Sequence, residues 1–527
     1  MPTLSSHQLS FQLETGEWLF KNININITQG VTGLVGRNGS GKTVLLEILR
    51  GALLPTSGSV TCHEKLGYYS QLPSHLLNEA VTVSDFLGLT QKRFAVKSIE
   101  QGSVELQYFE LVGEDWDIEA QSLNLMKTLG LPADLDARCA SLSGGQLALL
   151  QLHQLFESDI QILLLDEPSN HLDQAGKEWL KRKIACFQGA ILLVSHDRLL
   201  LRDVDAIYHL TSLGVSYFKG NYDEFSLYNQ QQENALTNKI NQLKSERKKI
   251  ERQAQINQEK AQQRAAQGNR IRKSGSQPKI LMDAMKGKAE KTRSAALTNQ
   301  NNQLERTQNK LSELEKQKER LKPQAMYLQN SSAVKRRTLV ALEDCVLDFG
   351  AKRPITASIV HSDRVYLQGR NGSGKSTLLK AVFGEHCRYQ GVLKVNTKTV
   401  YLDQHFGLLK PDLSLLENLT QYCTGLTDSE ARTLLAGIGF RRDSVYRYVK
   451  HLSGGEKMKL SMLVVSHIEG APLLLLDEPD NHLDIESKQL LASALKRYQG
   501  SFIVVSHDHD FVQDIGVNRH LFLEDES

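Results

Sequence analysis

Short, wholly apolar runs recur along the chain, each closed by acidic, small or glycine-rich residues. ILLLDEP (162–168) and PLLLLDEP (472–479) lack the alternation of a half-solvated strand, and predict strands buried on both faces that end in two carboxylates. GVTGLV (30–35) and RVYLQ (364–368) predict strands leading into glycine-rich turns. The segments after those turns, VLLEILRG (44–51) and TLLKAVFG (377–384), carry helical spacing. ILLVS (191–195) and FIVVS (502–506) predict two further buried strands. From about Phe225 to Ser332 the pattern changes. Leu236, Ile240, Leu243, Ile250 and Ala254 fall at heptad-like spacing, as do Leu297, Leu304, Leu311, Leu314 and Leu321. Gly268, Gly275, Pro278 and Gly287 interrupt the pattern between the two stripes. The expectation is an antiparallel helical hairpin with an irregular tip, ended by Pro323.

The strand patterns come in two sets in the same order, so the chain contains a duplicated domain. GRNGSGKT (36–43) answers to GRNGSGKS (369–376), LSGGQ (142–146) to LSGGE (452–456), and LLVSHD ending at Asp197 to IVVSHD ending at Asp508. The first motif glycine precedes a glutamine, Gln71 or Gln404, by 35 residues in both copies. From there to the serine of LSGG is 72 residues in the first copy and 49 in the second, so the first holds about 23 extra residues. At 527 residues the chain is too long for one ordinary core. The predicted fold is α/β: two tandem P-loop nucleotide-binding domains, 1–222 and 333–527, joined by a long basic helical linker, 223–332, with an arm-like insertion near 81–120.

The glycine-rich turns carry a specific chemistry. In GxxxxGK[ST] the glycines let successive backbone N–H groups turn inward around phosphate oxygens, and the following helix aims its positive end at the same place. Gly36, Arg37, Asn38, Gly39, Ser40 and Gly41 form this loop in the first copy, and Gly369, Arg370, Asn371, Gly372, Ser373 and Gly374 in the second. Lys42 and Lys375 bring a full charge to the outer phosphates. The hydroxyls of Thr43 and Ser376 suit Mg2+. Asp166 and Asp477 are placed to hold that ion, and Glu167 and Glu478, one residue on, to polarise an attacking water. A lone acidic pair after leucines reads more simply as a helix cap or a solvated strand end; two such pairs, each downstream of a phosphate loop, do not.

These motifs together resemble the ATP-binding cassette (ABC) family over roughly four-fifths of the chain. The resemblance implies ATP and Mg2+ as ligands, Gln71 and Gln404 as further groups at the metal, and His196 and His507 as contacts to the γ-phosphate. It also implies composite sites: ATP on Lys42 would meet Ser453, Gly454 and Gly455, and ATP on Lys375 would meet Ser143, Gly144 and Gly145. The family stacks adenine on an aromatic upstream of the phosphate loop. Phe349 fits that position in the second copy, whereas in the first only Phe11 and Trp18 flank it.

Composition narrows the function. No apolar run is long enough to span a bilayer and no signal pattern opens the chain, so a cytoplasmic protein is expected. Six scattered cysteines without a CxxC pair point to reduced, buried thiols. The net charge of +3 conceals an asymmetry: residues 231–330 hold 22 Lys or Arg against 10 Asp or Glu. Nine of those cations, from Arg264 to Arg293, lie in the tip against only Asp283 and Glu290. A basic run is usually a solvated helix face. Concentrated at the end of a projection on an otherwise acidic chain, it points to phosphate contact, and without aromatics to a folded RNA backbone. Residues 81–120 are acidic, with eight carboxylates against Lys92, Arg93 and Lys97, and are better matched to a basic protein than to RNA.

Two cassettes, a basic helical linker and DEPxNHLD in both copies resemble the ABC-F branch. That resemblance implies a monomer whose two cassettes close on ATP, binding to the ribosome in that state, and a linker reaching ribosomal RNA and peptidyl-tRNA. The alternatives are the ATPase subunit of a transporter and a DNA-associated ABC-F ATPase.

Overall fold

The computed structural model describes residues 4–70, 81–170, 172–211, 214–273, 298–299, 301–315, 337–350, 352–370, 372–385, 387–403, 406–423, 425–468, 472–481 and 483–523. Gln71, Gln404 and Asn371 lie outside them, as does most of the basic tip.

The first copy is built on a six-stranded sheet in the order β5-β6-β7-β3-β8-β9: Leu66–Tyr69, Ile162–Asp166, Ala190–Val194, Gly30–Gly36, Ala206–Thr211 and Gly214–Lys219. Its first five strands are parallel and β9 is antiparallel to β8. Every residue of β6 and β7 is buried, which is why those stretches read as unbroken apolar runs. A small antiparallel sheet, β2-β1-β4 (Trp18–Ile27, Leu4–Gln12, Ser57–Cys62), supplies Leu4, Leu9, Ile23, Ile25 and Ile27 to the same core.

The second copy repeats the plan. Its parallel sheet runs β14-β15-β16-β12-β17: Thr399–Leu402, Leu473–Asp477, Phe502–Val505, Arg364–Gln368 and Arg519–Phe522. Its antiparallel sheet is β11-β10-β13 (Ile355–Val360, Thr338–Leu347, Tyr389–Val395). In both copies the glycine-rich loop, the acidic pair and the histidine follow the carboxyl ends of neighbouring parallel strands, where open α/β sheets present ligand sites.

Much of the difference in length between the copies is taken up by two helices, Thr90–Glu100 and Leu106–Val112. They pack on Ile118 of the next helix, Ile118–Thr128, through a small core of their own: Ala95, Val96 and Val112. Arg93 ties this insertion down from a nearly buried position by pairing with Asp136 at 2.8 Å and Glu119 at 3.1 Å.

The chain separates into two compact units, Met1–Tyr222 with Gln324–Ser527, and Asp223–Pro323. The second is dominated by one helix, Tyr222–Lys273, about 78 Å long at 1.5 Å per residue. Ile240 is buried on it, and Leu236, Leu243, Ile250 and Ala254 are partly so, as their spacing predicts. Residues 301–315 are also helical, with Leu311 buried, and Lys244 pairs with Glu315 at 2.7 Å. Gly268, expected to break the pattern, lies inside the helix: a single glycine costs about 1 kcal/mol, which a helix of this length absorbs. Leu297, Leu321 and the breaks at Gly275, Pro278 and Gly287 fall outside the described residues.

All six cysteines are free thiols, but only Cys139, Cys345 and Cys423 are buried; Cys62 and Cys186 are exposed, against the expectation of buried thiols. Among the described residues no helix is long and apolar enough to cross a membrane.

Candidate functional site

Both phosphate loops have the geometry that their glycines predict. Gly39 and Gly41 take φ of 79° and 94°, and Gly372 and Gly374 take 84° and 93°. A Cβ on Gly41 would sit 2.6 Å from a Leu19 methyl, and one on Gly374 would sit 2.8 Å from the Phe349 carbonyl oxygen, so bulk is excluded as well as conformation. The helices Lys42–Leu49 and Lys375–Phe383 start at the loop ends without a side-chain cap on their first N–H groups. Lys42 folds back, donating to the carbonyls of Gly36 at 2.8 Å and Arg37 at 3.2 Å. Lys375 does the same with Gly369 and Arg370, at 2.7 and 2.8 Å. The hydroxyls of Ser40 and Ser373 are buried without a hydrogen-bond partner. A buried hydroxyl without a partner, in a glycine-rich loop that ends on an uncapped helix start and a lysine, fits a polyphosphate.

Magnesium fits as well. The Thr43 hydroxyl acts on the Asp166 carboxyl and the Ser376 hydroxyl on that of Asp477, which also accepts from the Tyr401 hydroxyl at 2.8 Å. Burial pushes both carboxyls above the ordinary aspartate range. Such groups gain from a neighbouring cation.

The two glutamates stand in strained backbone. Glu167 has φ of 50° and Glu478 of 51°, unusual for any residue but glycine. The strain turns each side chain toward the next strand end. Glu167 N–H donates to the Val194 carbonyl and Glu478 N–H to that of Val505, both at 2.9 Å. His196 Nε2 lies 3.4 Å from Glu167 Oε1, and His507 Nε2 lies 3.4 Å from Glu478 Oε1. Burial pushes the Glu167 carboxyl up to about 7, with Asp166 adding to the rise and Lys42 opposing it. His196 is held well below the imidazole range by burial and by the nearby Lys42 charge, and is neutral. A neutral imidazole beside a carboxyl near 7 suits acceptance of a proton at physiological pH.

A cavity of about 450 Å³ opens on the first loop, and both cassettes line it. Lys42, Thr43, Asp166, Glu167 and His196 come from the first; Asp480, Asn481, Leu483, Lys488 and His507 come from the second. Asn38 N–H donates to Asp484 Oδ2 at 2.9 Å, and Arg37 pairs with Glu486 at 2.6 Å. The segment held against the Gly36–Thr43 loop is therefore Asp480–Glu486, the stretch after the second acidic pair. Ser453, Gly454 and Gly455 do not line this cavity; Ser453 caps the helix Gly454–Ser466 reciprocally with Glu456, as Ser143 does with Gln146 for Gly144–Glu157. Leu13 and Leu19 supply the apolar wall. Trp18 is half-exposed, with the Lys21 ammonium 4.4 Å from its ring centre, and Phe11 packs on Phe20. Phe349, beside the second loop, is 74 % exposed.

The sequence reading missed the residues that join the copies. Besides Asp484 and Glu486, these are Arg198 with Asp514 (3.0 Å), Arg202 with Asp510 (2.9 Å), and the lysines Lys177 and Lys488. One signal was available: the identity of the two acidic motifs continues past the glutamates, through NHLD, further than carboxylate chemistry alone requires.

A family model described as "ABC transporter" matches residues 20–170 and 353–481, once in each copy. The chain belongs to the ABC family. Similar proteins include "ABC transporter F family member 5" of Arabidopsis thaliana, 29 % identical over 97 % of this chain and 73 % of that protein. "Probable ATP-binding protein YheS" of Haemophilus influenzae is 29 % identical over 93 % and 74 %. Among solved structures, "Model of ribosome-bound archaeal Pelota and ABCE1" superposes with a TM-score of 0.54 over 98 % of this ABC chain and 76 % of that one, at 16 % identity. A complex of archaeal ribosomal stalk protein aP1 with ribosome recycling factor aABCE1 gives 0.53 over 98 % and 87 %, at 17 % identity. These likenesses establish the tandem-cassette fold of this ABC protein.

Proposed function

We propose that this protein is an ABC-F ATPase that binds the ribosome in a closed, ATP-bound state, leaves on hydrolysis, and thereby modulates translation or protects the ribosome. The observation that carries the reading is the duplicated glutamate–histidine pair, 3.4 Å apart in each cassette, on a chain whose inter-cassette segment is strongly basic while the remainder is net acidic. ATP lies on each loop, with Lys42 or Lys375 on the outer phosphates. Thr43 and Asp166, and Ser376 and Asp477, would hold Mg2+, which would supply charge neutralisation for the developing phosphate. Glu167 and Glu478 take the proton of an attacking water, and the products are ADP and inorganic phosphate. His196 and His507 hold the γ-phosphate. Closing on ATP brings Ser453–Gly455 and Ser143–Gly145 onto the opposite nucleotide, and the basic tip then meets ribosomal RNA and peptidyl-tRNA. The protein works in the cytoplasm. The F-family relative, and a structural neighbour that is itself ribosome-bound, support this reading over a transporter subunit. The test is phosphate release by the Glu167→Gln, Glu478→Gln double variant. ATP binding kept and turnover lost is the expected result; turnover at the unmodified rate removes both glutamates from the chemistry.

A further inference from the structure

Two buried lysines stand where the cassettes meet, and the ATPase chemistry above assigns them nothing. Lys177 lies on the helix Gln174–Cys186 of the first cassette. Its ammonium pairs with Asp197 of its own cassette at 2.7 Å and donates to the backbone carbonyl of His507, in the other cassette, at 2.9 Å. Lys488 lies at the matching place on the helix Ile485–Arg497. It pairs with Asp508 of its own cassette at 2.7 Å and donates to the carbonyl of His196 at 3.4 Å. Asp480, 4.0 Å from Lys488, is a third carboxylate in the group. The arrangement is reciprocal. Each lysine is anchored by the aspartate that follows its own cassette's histidine, and reaches across to the histidine opposite.

The choice of lysine follows from the geometry. An ammonium offers three donors on a flexible stem, so one side chain can satisfy a carboxylate and a carbonyl in different directions. A buried ammonium holds its partners, because releasing either leaves a desolvated polar group unpaired. The side chains of Lys177 and Lys488 are 10 % and 14 % exposed, and those of Asp197 and Asp508 are 8 % and 7 % exposed. What each lysine fixes is the backbone of a histidine in the other cassette, whose ring lies 3.4 Å from that cassette's glutamate.

We propose that Lys177 and Lys488 are positioning residues acting in trans: Lys177 sets His507 for hydrolysis at the site of Lys375 and Glu478, and Lys488 sets His196 for hydrolysis at the site of Lys42 and Glu167. Each site is thus adjusted by the cassette that does not contain its glutamate. This rests on the reading of the cassettes as ATPases. Inspection of either cassette alone does not show it, because Lys177 and Glu478 belong to different copies.

The experiment uses the full chain with one site silenced. Glu167→Gln leaves turnover only at Glu478 and His507, so any effect of Lys177 read there comes across the interface. Lys177→Met is combined with Asp197→Asn so that no buried carboxylate is left unpaired. The expected result is a fall in kcat of roughly ten- to hundredfold with KM for ATP unchanged, because a misplaced group lowers the rate without loosening the nucleotide. Lys177→Arg, which keeps a cationic donor, restores most of the rate. A kcat within about twofold of the parent, an equal loss in the Arg variant, or a loss confined to KM overturns the proposal. A second readout needs no turnover. The 13Cε1–1H resonance of His507, assigned by its absence in His507→Gln, shifts in the Lys177→Met, Asp197→Asn protein and returns in Lys177→Arg. An unmoved resonance overturns the proposal even if no variant hydrolyses ATP. Phosphate release by Glu167→Gln and by the double glutamine variant tests the ATPase reading separately.

Discussion

Replacing Glu167 by Gln is expected to stabilise the nucleotide-free protein, and to do so only above mildly acidic pH. The side chain is isosteric and the strained backbone at φ 50° is common to both proteins, so the difference isolates the proton. A carboxyl raised from its ordinary value near 4.5 to about 7 by burial costs the folded state about 3 kcal/mol once it is ionised. The side chain keeps 15 % of its surface exposed, so water shares the charge and about 2 kcal/mol is the working figure. The sign follows from linkage. Below pH 4.5 the group is protonated in the folded and unfolded chains alike, and the penalty is absent. It grows as pH rises, because the unfolded chain ionises first, and is complete above pH 7. At 2–4 °C per kcal/mol for a domain of this size, the Gln variant melts roughly 4–8 °C higher at pH 8. The assay is thermal unfolding of both proteins in chelator without nucleotide, at pH 5 to 8.5, with the difference in Tm plotted against pH. A difference that is constant with pH, or a less stable variant at pH 8, refutes the placement of a desolvated carboxyl beside Lys42.

On the proposed mechanism this carboxyl takes the proton of the attacking water: in Glu478→Gln, which on that mechanism leaves turnover to the first site, kcat/KM is expected to fall about tenfold per pH unit below 7, and a flat profile from pH 6 to 8 assigns the base elsewhere. Arg198→Glu with Arg202→Glu reverses two charges that face Asp510 and Asp514 across the cassette interface. With such pairs worth about 0.5–1 kcal/mol each, half-saturating ATP rises several-fold and recovers when Asp510→Arg and Asp514→Arg are added. Changing Arg270, Arg272, Lys273 and Lys279 to Ala lowers the log–log salt slope of ribosome binding by roughly 0.7–0.9 per lost phosphate contact and leaves basal ATPase intact; an unchanged slope moves the RNA contact off the tip.

The cassette cores were legible because their strands are buried on both faces. Ile162–Leu165 and Leu473–Leu476 have one environment on each side, so composition alone reports it. The phosphate loops were legible because a turn at φ near 90° admits little but glycine. Contacts between the copies were not. Lys177 on a helix reads as a solvated cation, and its partners are 20 and 330 residues away. Gly268 misled for a related reason: the intrinsic penalty of one residue says little about a helix fixed along 52. The first copy has no aromatic at the place of Phe349, and the apolar residues lining the cavity there include Leu13 and Leu19, which carry no motif by which a sequence could single them out.

The central claim is that ATP held between two hydrolysing cassettes switches this protein onto the ribosome. It is tested most directly by sedimenting the Glu167→Gln, Glu478→Gln protein through a sucrose cushion with ribosomes and, separately, with membranes, in ATP, ADP or no nucleotide. Retention with ribosomes in ATP, and little in ADP, without nucleotide or with membranes, is the expected result. Equal retention in all three nucleotide states, or retention with membranes alone, contradicts the account.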